Sequence, residues 1–253
     1  MKYYQDLACL GVFTLEDAGI IMGNIKNASK QLNSMVKAGT VARIKKNLYT
    51  CIDLVSGDLL ADKYLIASHI TESSFVSYHS AFEFYGFYNQ VFNEIQVSSN
   101  KRFFNFGTET YHYRCYLSNV TKQIDTIKGA RVTSIERTII DSINMLGKVM
   151  DVEELIKCLE LVHIVSEDKL KEMLVEYDKE ILYRKVGYVL SSFKEQFNLS
   201  DKFFKFCKEK SDFTYRGRLS SNELNKLVYI NEWSLYGYRN LLLLGSKGEF
   251  ENV

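Results

Sequence analysis

Apolar positions recur along the chain with two periods, and the switches between them mark its elements. Near the start, Tyr4, Leu7 and Leu10 fall three residues apart and stop at Gly11, which predicts a short helix over residues 3–10. Thr14 followed three residues later by Asp17 is an Asp variant of the capping box, so a second helix is expected over 15–22. After the break at Gly23-Asn24, Ile25, Ala28, Leu32, Met35 and Val36 keep a helical period up to Gly39, predicting a third helix over 25–38. Residues 40–44 and 48–52 read as two short strands about a turn at Lys45-Lys46-Asn47. Three helices followed by a hairpin is the order of a winged helix-turn-helix, assigned here to residues 1–55.

Beyond it, Ser56-Gly57-Asp58 sits in a linker over 53–62, with a new helix expected to begin near Leu59. An aromatic-rich run from Ser77 ends at Gly86 and predicts a helix, whereas 94–98 and 111–117 alternate with period two as half-buried strands do. Helical spacing returns over 134–143, 152–161, 166–176 and 183–197. Residues 228–244 are rich in aromatic and branched side chains and could return as strands, although periodicity leaves this open. The expected fold class is α+β. A winged helix over 1–55 precedes a second region over 56–253, mixed to about residue 133 and mainly helical thereafter.

Composition adds limits. At 253 residues, 46% hydrophobic and 25% charged, the chain can bury a sizeable core and is expected to form two or three units. Five cysteines are scattered singly, which favours buried free thiols over a zinc site or a disulfide framework. With no apolar run of membrane-spanning length and no leader-like start, a cytoplasmic protein without a membrane partner is expected. Proline is absent, so turns rely on Gly, Asn, Asp and Ser.

The net charge of +1 excludes a strongly basic whole-chain field, so any nucleic-acid contact must come from a local patch. The first 55 residues supply one, with seven basic residues, Lys2 among them, against four acidic. On the third helix Lys26, Lys30, Asn33 and Lys37 are spaced four, three and four apart and form one stripe, with Asn27, Gln31 and Ser34 beside it. In a helix-turn-helix this helix enters the major groove. Asn27, Lys30 and Gln31 are expected to meet base edges, while Lys26, Ser34 and Lys37 hold phosphates. Arg43, Lys45 and Lys46 on the hairpin would contact the neighbouring groove or backbone. A Lys stripe alone is ordinarily a solvated face. Its place on a third helix, opposite an apolar seam and directly before a basic hairpin, points instead to double-stranded DNA.

Catalytic signals are nearly empty, and neither an enzyme activity nor a cofactor is expected. His112 and Cys115, three apart in a strand, would point to opposite faces, which argues against a shared metal. His79 beside Ser80 lacks an orienting acid and reads as packing. Glu94-Ile95-Gln96 matches only three residues of a nuclease-type metal site.

Several stretches together resemble the AbiEi family, antitoxins of type IV toxin-antitoxin and phage abortive-infection systems. They are Gly11-Val12-Phe13-Thr14; Leu32, Val36, Gly39 and Val41; Ala42-Arg43-Ile44-Lys45-Lys46-Asn47-Leu48-Tyr49; Tyr78-His79-Ser80-Ala81 with Tyr85-Gly86; Thr133-Ser134-Ile135-Glu136-Arg137-Thr138 with Asp141; and Arg184-Lys185-Val186-Gly187-Tyr188-Val189-Leu190. The family's wing commonly reads Arg-x-Gly-x-Tyr, where this chain has Asn47, the residue after Gly that best tolerates a left-handed turn. The resemblance implies a repressor that binds inverted repeats in its own promoter. It also implies an antitoxin region that counters a cognate nucleotidyltransferase toxin without a stable complex, with Arg137, Asp141 and Arg184 as residues of interest there. Alternatives are a stand-alone winged-helix regulator, a protein-interaction module, and a metal nuclease around Glu94.

Overall fold

The computed structural model describes residues 3–220, 222 and 226–245; Lys2, counted in the basic patch, lies outside them. The chain is a mixed α+β protein and divides into two compact units, each assembled from separated segments. The first comprises Met1–Val76, Asn93–Asn119 and Thr126–Val132; the second comprises Ser77–Phe92, Val120–Asp125 and Thr133–Val253. The expected boundary near residue 55 falls inside the first unit.

In the first unit, α1 (Tyr4–Leu10) ends at Gly11, whose φ of 70° a side chain would strain. β1 (Val12–Phe13) leads to α2 (Leu15–Met22), whose start is fixed by the reciprocal bonds of the capping box. Asp17 N donates to Thr14 Oγ1 at 3.2 Å, and Thr14 N donates to Asp17 Oδ2 at 2.8 Å. α3 (Ile25–Lys37) begins under an Asn24 cap and buries Ala28, Leu32 and Met35. β2 (Val41–Lys45) and β3 (Leu48–Cys51) form an antiparallel hairpin, and Val12 and Phe13 pair with Thr50 and Tyr49 to complete a three-stranded sheet. Leu7, Phe13, Met22, Leu32 and Val41 meet in one apolar cluster, so the helical seam and the sheet face solve the same burial problem.

The expected helix near Leu59 starts later. Leu59 makes a lone antiparallel bridge with Ile52, and α4 (Lys63–Ser68) begins where Asp62 Oδ1 accepts from the Tyr64 and Leu65 amides, both at 2.8 Å. The strands β4 (Phe75–Val76), β5 (Glu94–Ser99), β6 (Phe106–Gly107), β7 (His112–Leu117), β8 (Ile124–Ile127) and β9 (Ala130–Thr133) build a six-stranded mixed sheet in the order β6-β7-β5-β4-β9-β8. β5 runs parallel to β7 and antiparallel to β4. Arg131 donates to the carbonyls of Ser68 at 2.6 Å and Thr71 at 3.1 Å, satisfying acceptors left open after α4.

The second unit is mainly helical. It comprises α5 (Tyr78–Phe84), α6 (Ile135–Asn144), α7 (Val152–Leu161), α8 (Glu167–Tyr177), α9 (Glu180–Ser191) and α10 (Asp201–Glu209). These are followed by β10 (Gly217–Arg218), β11 (Val228–Ile230), β12 (Leu235–Gly237) and the short α11 (Leu242–Gly245). Ser134, Asp151, Ser166 and Ser200 each cap the helix that follows. The helix expected over 183–197 starts earlier and stops at Ser191; Phe193 and Phe197 lie beyond it, stacked at 5.5 Å in the core. α10, which spacing did not reveal, buries Phe203 and Cys207 on one face. Gly187 is required by contact: a Cβ there would stand 2.2 Å from the Trp233 ring, so α9 and the indole pack only because that position is bare. No helix among the described residues is long and apolar enough to cross a membrane.

Candidate nucleic-acid interface

The face of α3 opposite its buried seam presents Lys26, Lys30, Gln31, Asn33, Ser34 and Lys37, all exposed. The separation follows from the sequence: Ala28, Leu32 and Met35 recur at four and three residues and leave the polar positions on the outside. Asn27 departs from the rest. It is half-buried, and its Nδ2 donates to the Met22 carbonyl at 3.0 Å, closing the end of α2. That places Asn27 at the α2–α3 junction and leaves Lys30 and Gln31 as the exposed members of the expected base-reading group.

The hairpin divides its cations in the same way. Arg43 and Lys46 are exposed, but Lys45 folds inward: its Nζ donates to the Ile70 carbonyl at 3.0 Å and stands 5.7 Å and 5.9 Å from the ring centroids of Phe103 and Phe106. Burial lowers its pKa from the ordinary lysine value. Strict alternation would leave Arg43 and Lys45 on one face; the pairing register shifts between them, which re-aims Lys45. Lys45 thus packs against Ile70, Phe103 and Phe106, a role that its expected place on the wing did not include. Asn47 at the turn adopts φ 62°, the left-handed conformation its residue type suggested.

Arg137, Asp141 and Arg184 in the second unit are interior. Arg137 is fully buried; its Nε reaches Asp141 Oδ2 at 3.3 Å, and its two terminal nitrogens donate to the Lys122 and Val120 carbonyls at 2.5 Å and 3.0 Å. Tyr177 also donates to Asp141. Burial pushes the Asp141 carboxyl up against the opposing pull of Arg137. Arg184, equally buried, donates to the Tyr215 carbonyl at 2.8 Å and lies 4.2 Å from that ring. All three hold carbonyls, carboxylates or rings of their own unit together.

Two further places carry titratable side chains in proximity. Glu94, beside a cleft of about 360 Å³ shared with Asn105, His112 and Arg114, is bridged by Arg114 at 3.3 Å. Ser80 is buried next to His79, and His79 Nε2 lies 2.9 Å from Glu154 Oε1. Cys158 Sγ stands 3.6 Å from the same oxygen, which makes His79, Glu154 and Cys158 the group with metal-ligand chemistry among the described residues. Sequence spacing does not reveal it, because His79 and Glu154 are 75 residues apart. Gln90 donates to the other Glu154 oxygen at 2.7 Å, so the carboxylate already serves as the hub of a buried polar network.

No family model and no curated protein matches the chain. The fold has a counterpart. It is similar to the crystal structure of the RV2827C protein from Mycobacterium tuberculosis, with a TM-score of 0.68 at 13% identity over 98% of this chain and 93% of that one. At that identity the likeness concerns the fold alone.

Proposed function

We propose that the chain is a DNA-binding autorepressor in which α1–α3 and the hairpin act as a winged helix-turn-helix, with α3 entering the major groove. The observation that carries this reading is the exposed stripe of Lys26, Lys30, Gln31, Asn33, Ser34 and Lys37 set opposite the buried Ala28-Leu32-Met35 seam. Lys30 and Gln31 reach base edges, Lys suiting guanine and Gln suiting adenine. Lys26, Ser34 and Lys37 hold phosphates, and Arg43 and Lys46 reach the adjoining backbone from the hairpin.

The antitoxin role rests on the family resemblance. In this reading the region over 56–253 counters a nucleotidyltransferase toxin, and Arg137, Asp141 and Arg184 support it as interior braces, not as surface contacts. Fluorescence anisotropy with duplexes from the region upstream of its own gene tests the repressor half; binding that is absent at low salt, or indifferent to salt, sinks it. Co-expression with a nucleotidyltransferase encoded by the adjacent gene tests the other half; growth arrest that this protein fails to relieve sinks that one.

A further inference from the structure

The loop between β5 and β6 carries Lys101, Arg102, Phe103, Phe104 and Asn105 in succession. Its anchors are firm. Phe103 is buried and Phe106 stacks on Tyr113 with ring centroids 5.0 Å apart. Asn105 Oδ1 accepts from the Cys115 amide at 2.9 Å, and the Asn100 amide donates to Ser73 Oγ at 3.3 Å. Held at both ends, the loop turns Lys101 and Arg102 outward and presents Phe104 at 96% exposure. Phe104 adds nothing to the core, where its neighbour Phe103 already fills the position, and it stands two and three residues from the exposed Arg102 and Lys101.

The loop is also tied to the hairpin. Lys45 places its ammonium over the rings of Phe103 and Phe106. The next residue, Lys46, is exposed. One cation therefore ties the loop to the hairpin within the first unit, next in sequence to the exposed Lys46.

We propose that this loop is a second DNA-contacting element, with Lys101 and Arg102 on phosphates and Phe104 inserted as an apolar wedge at a base step beside the site reached by the hairpin. The inference rests on the DNA-binding reading above and extends it. Basic side chains close in sequence to an exposed apolar residue suit wedge insertion: the cations hold the backbone while the ring fills the opened step and the duplex bends.

The test uses the full chain and duplexes of about 30 base pairs from the upstream region, with Phe104→Ala, the pair Lys101→Ala/Arg102→Ala, and Lys30→Ala as variants. All four substituted residues are exposed, so thermal melting is expected to stay at the wild-type value. The pair should lower the slope of log K against log salt by about one unit for each phosphate no longer neutralised. Phe104→Ala should bind ~10-fold more weakly, Phe104→Trp should restore affinity, and the bend measured by circular permutation should shrink only in Phe104→Ala. If Lys30→Ala weakens binding while the loop variants match wild type in affinity, slope and bend, the loop assignment is overturned and the α3 reading stands. If wild type itself does not bind, both fall.

Discussion

Asn47 at the hairpin turn is bonded to Glu16 at the start of α2: Asn47 Nδ2 donates to Glu16 Oε2 at 2.8 Å, while Asn47 Oδ1 accepts from the Leu15 amide at 2.9 Å. The bond from Asn47 holds the Glu16 carboxyl below its ordinary pKa. One side chain thus satisfies an open amide of α2 and fixes the hairpin tip, which Gly at this turn could not do. Asn47→Gly keeps the left-handed backbone but removes the cap, and should lower stability by about 1 kcal/mol. Asn47→Ala adds the strain of φ 62°, roughly 1–2 kcal/mol more. Urea denaturation measures both, and a larger effect for Gly than for Ala would contradict the assignment.

Lys45 and Lys46 should separate cleanly. Lys45→Ala removes the bond to the Ile70 carbonyl and the approach to two rings, so it should lower the melting temperature. Lys46→Ala should leave melting unchanged and weaken duplex binding several-fold, with a salt slope reduced by about one. The opposite pattern would restore Lys45 as a wing contact.

Arg137 braces the second unit through Asp141 and the Lys122 and Val120 carbonyls. Arg137→Ala leaves Asp141 buried without its guanidinium and should destabilise by about 3–5 kcal/mol. Arg137→Lys should not rescue it, because one ammonium cannot serve a carboxylate and the Lys122 and Val120 carbonyls with the same fork geometry. Chemical denaturation together with toxin rescue decides the role. A variant of normal stability that no longer relieves toxicity would make Arg137 a functional contact.

Glu154 predicts an acid dependence. Burial raises its pKa, but hydrogen bonds from His79, Gln90 and Cys158 more than offset this and the net value lies below the ordinary 4.5. A lowered carboxylate contributes stability that is fully present above its unfolded value and lost as pH falls through the folded one. Glu154→Gln should therefore flatten the fall in unfolding free energy between roughly pH 5 and pH 3. An unchanged slope would mean that the network does not depend on the charge.

The helices and hairpin of the first 55 residues are readable in the sequence because their signals are local. The Thr14–Asp17 box, the Ile25-to-Val36 period and Gly39 each act within a few residues. The strands β5 and β7 are readable by alternation, but the half-burial expected of both holds only for β7: between β4 and β7, β5 buries both faces, Gln96 and Ser98 as well as Ile95 and Val97. The six-stranded sheet is not, since Val76 pairs with Val97 on one side and with Val132 on the other, and nothing near Val76 encodes either partner. The inward turn of Lys45 depends on one register shift, and the use of Asn27 as a closing bond depends on how α2 ends. The exposed stripe is therefore legible in outline, while its membership is decided by tertiary packing.

The claim that α3 lies against DNA is tested most directly by the salt slope of duplex binding for wild type and for the triple variant Lys26→Ala/Lys30→Ala/Lys37→Ala. These side chains are exposed and should be removable with the fold intact. The expected result is a slope smaller by about two to three units and much weaker binding at physiological salt. Equal slope and equal affinity in a folded triple variant would contradict it.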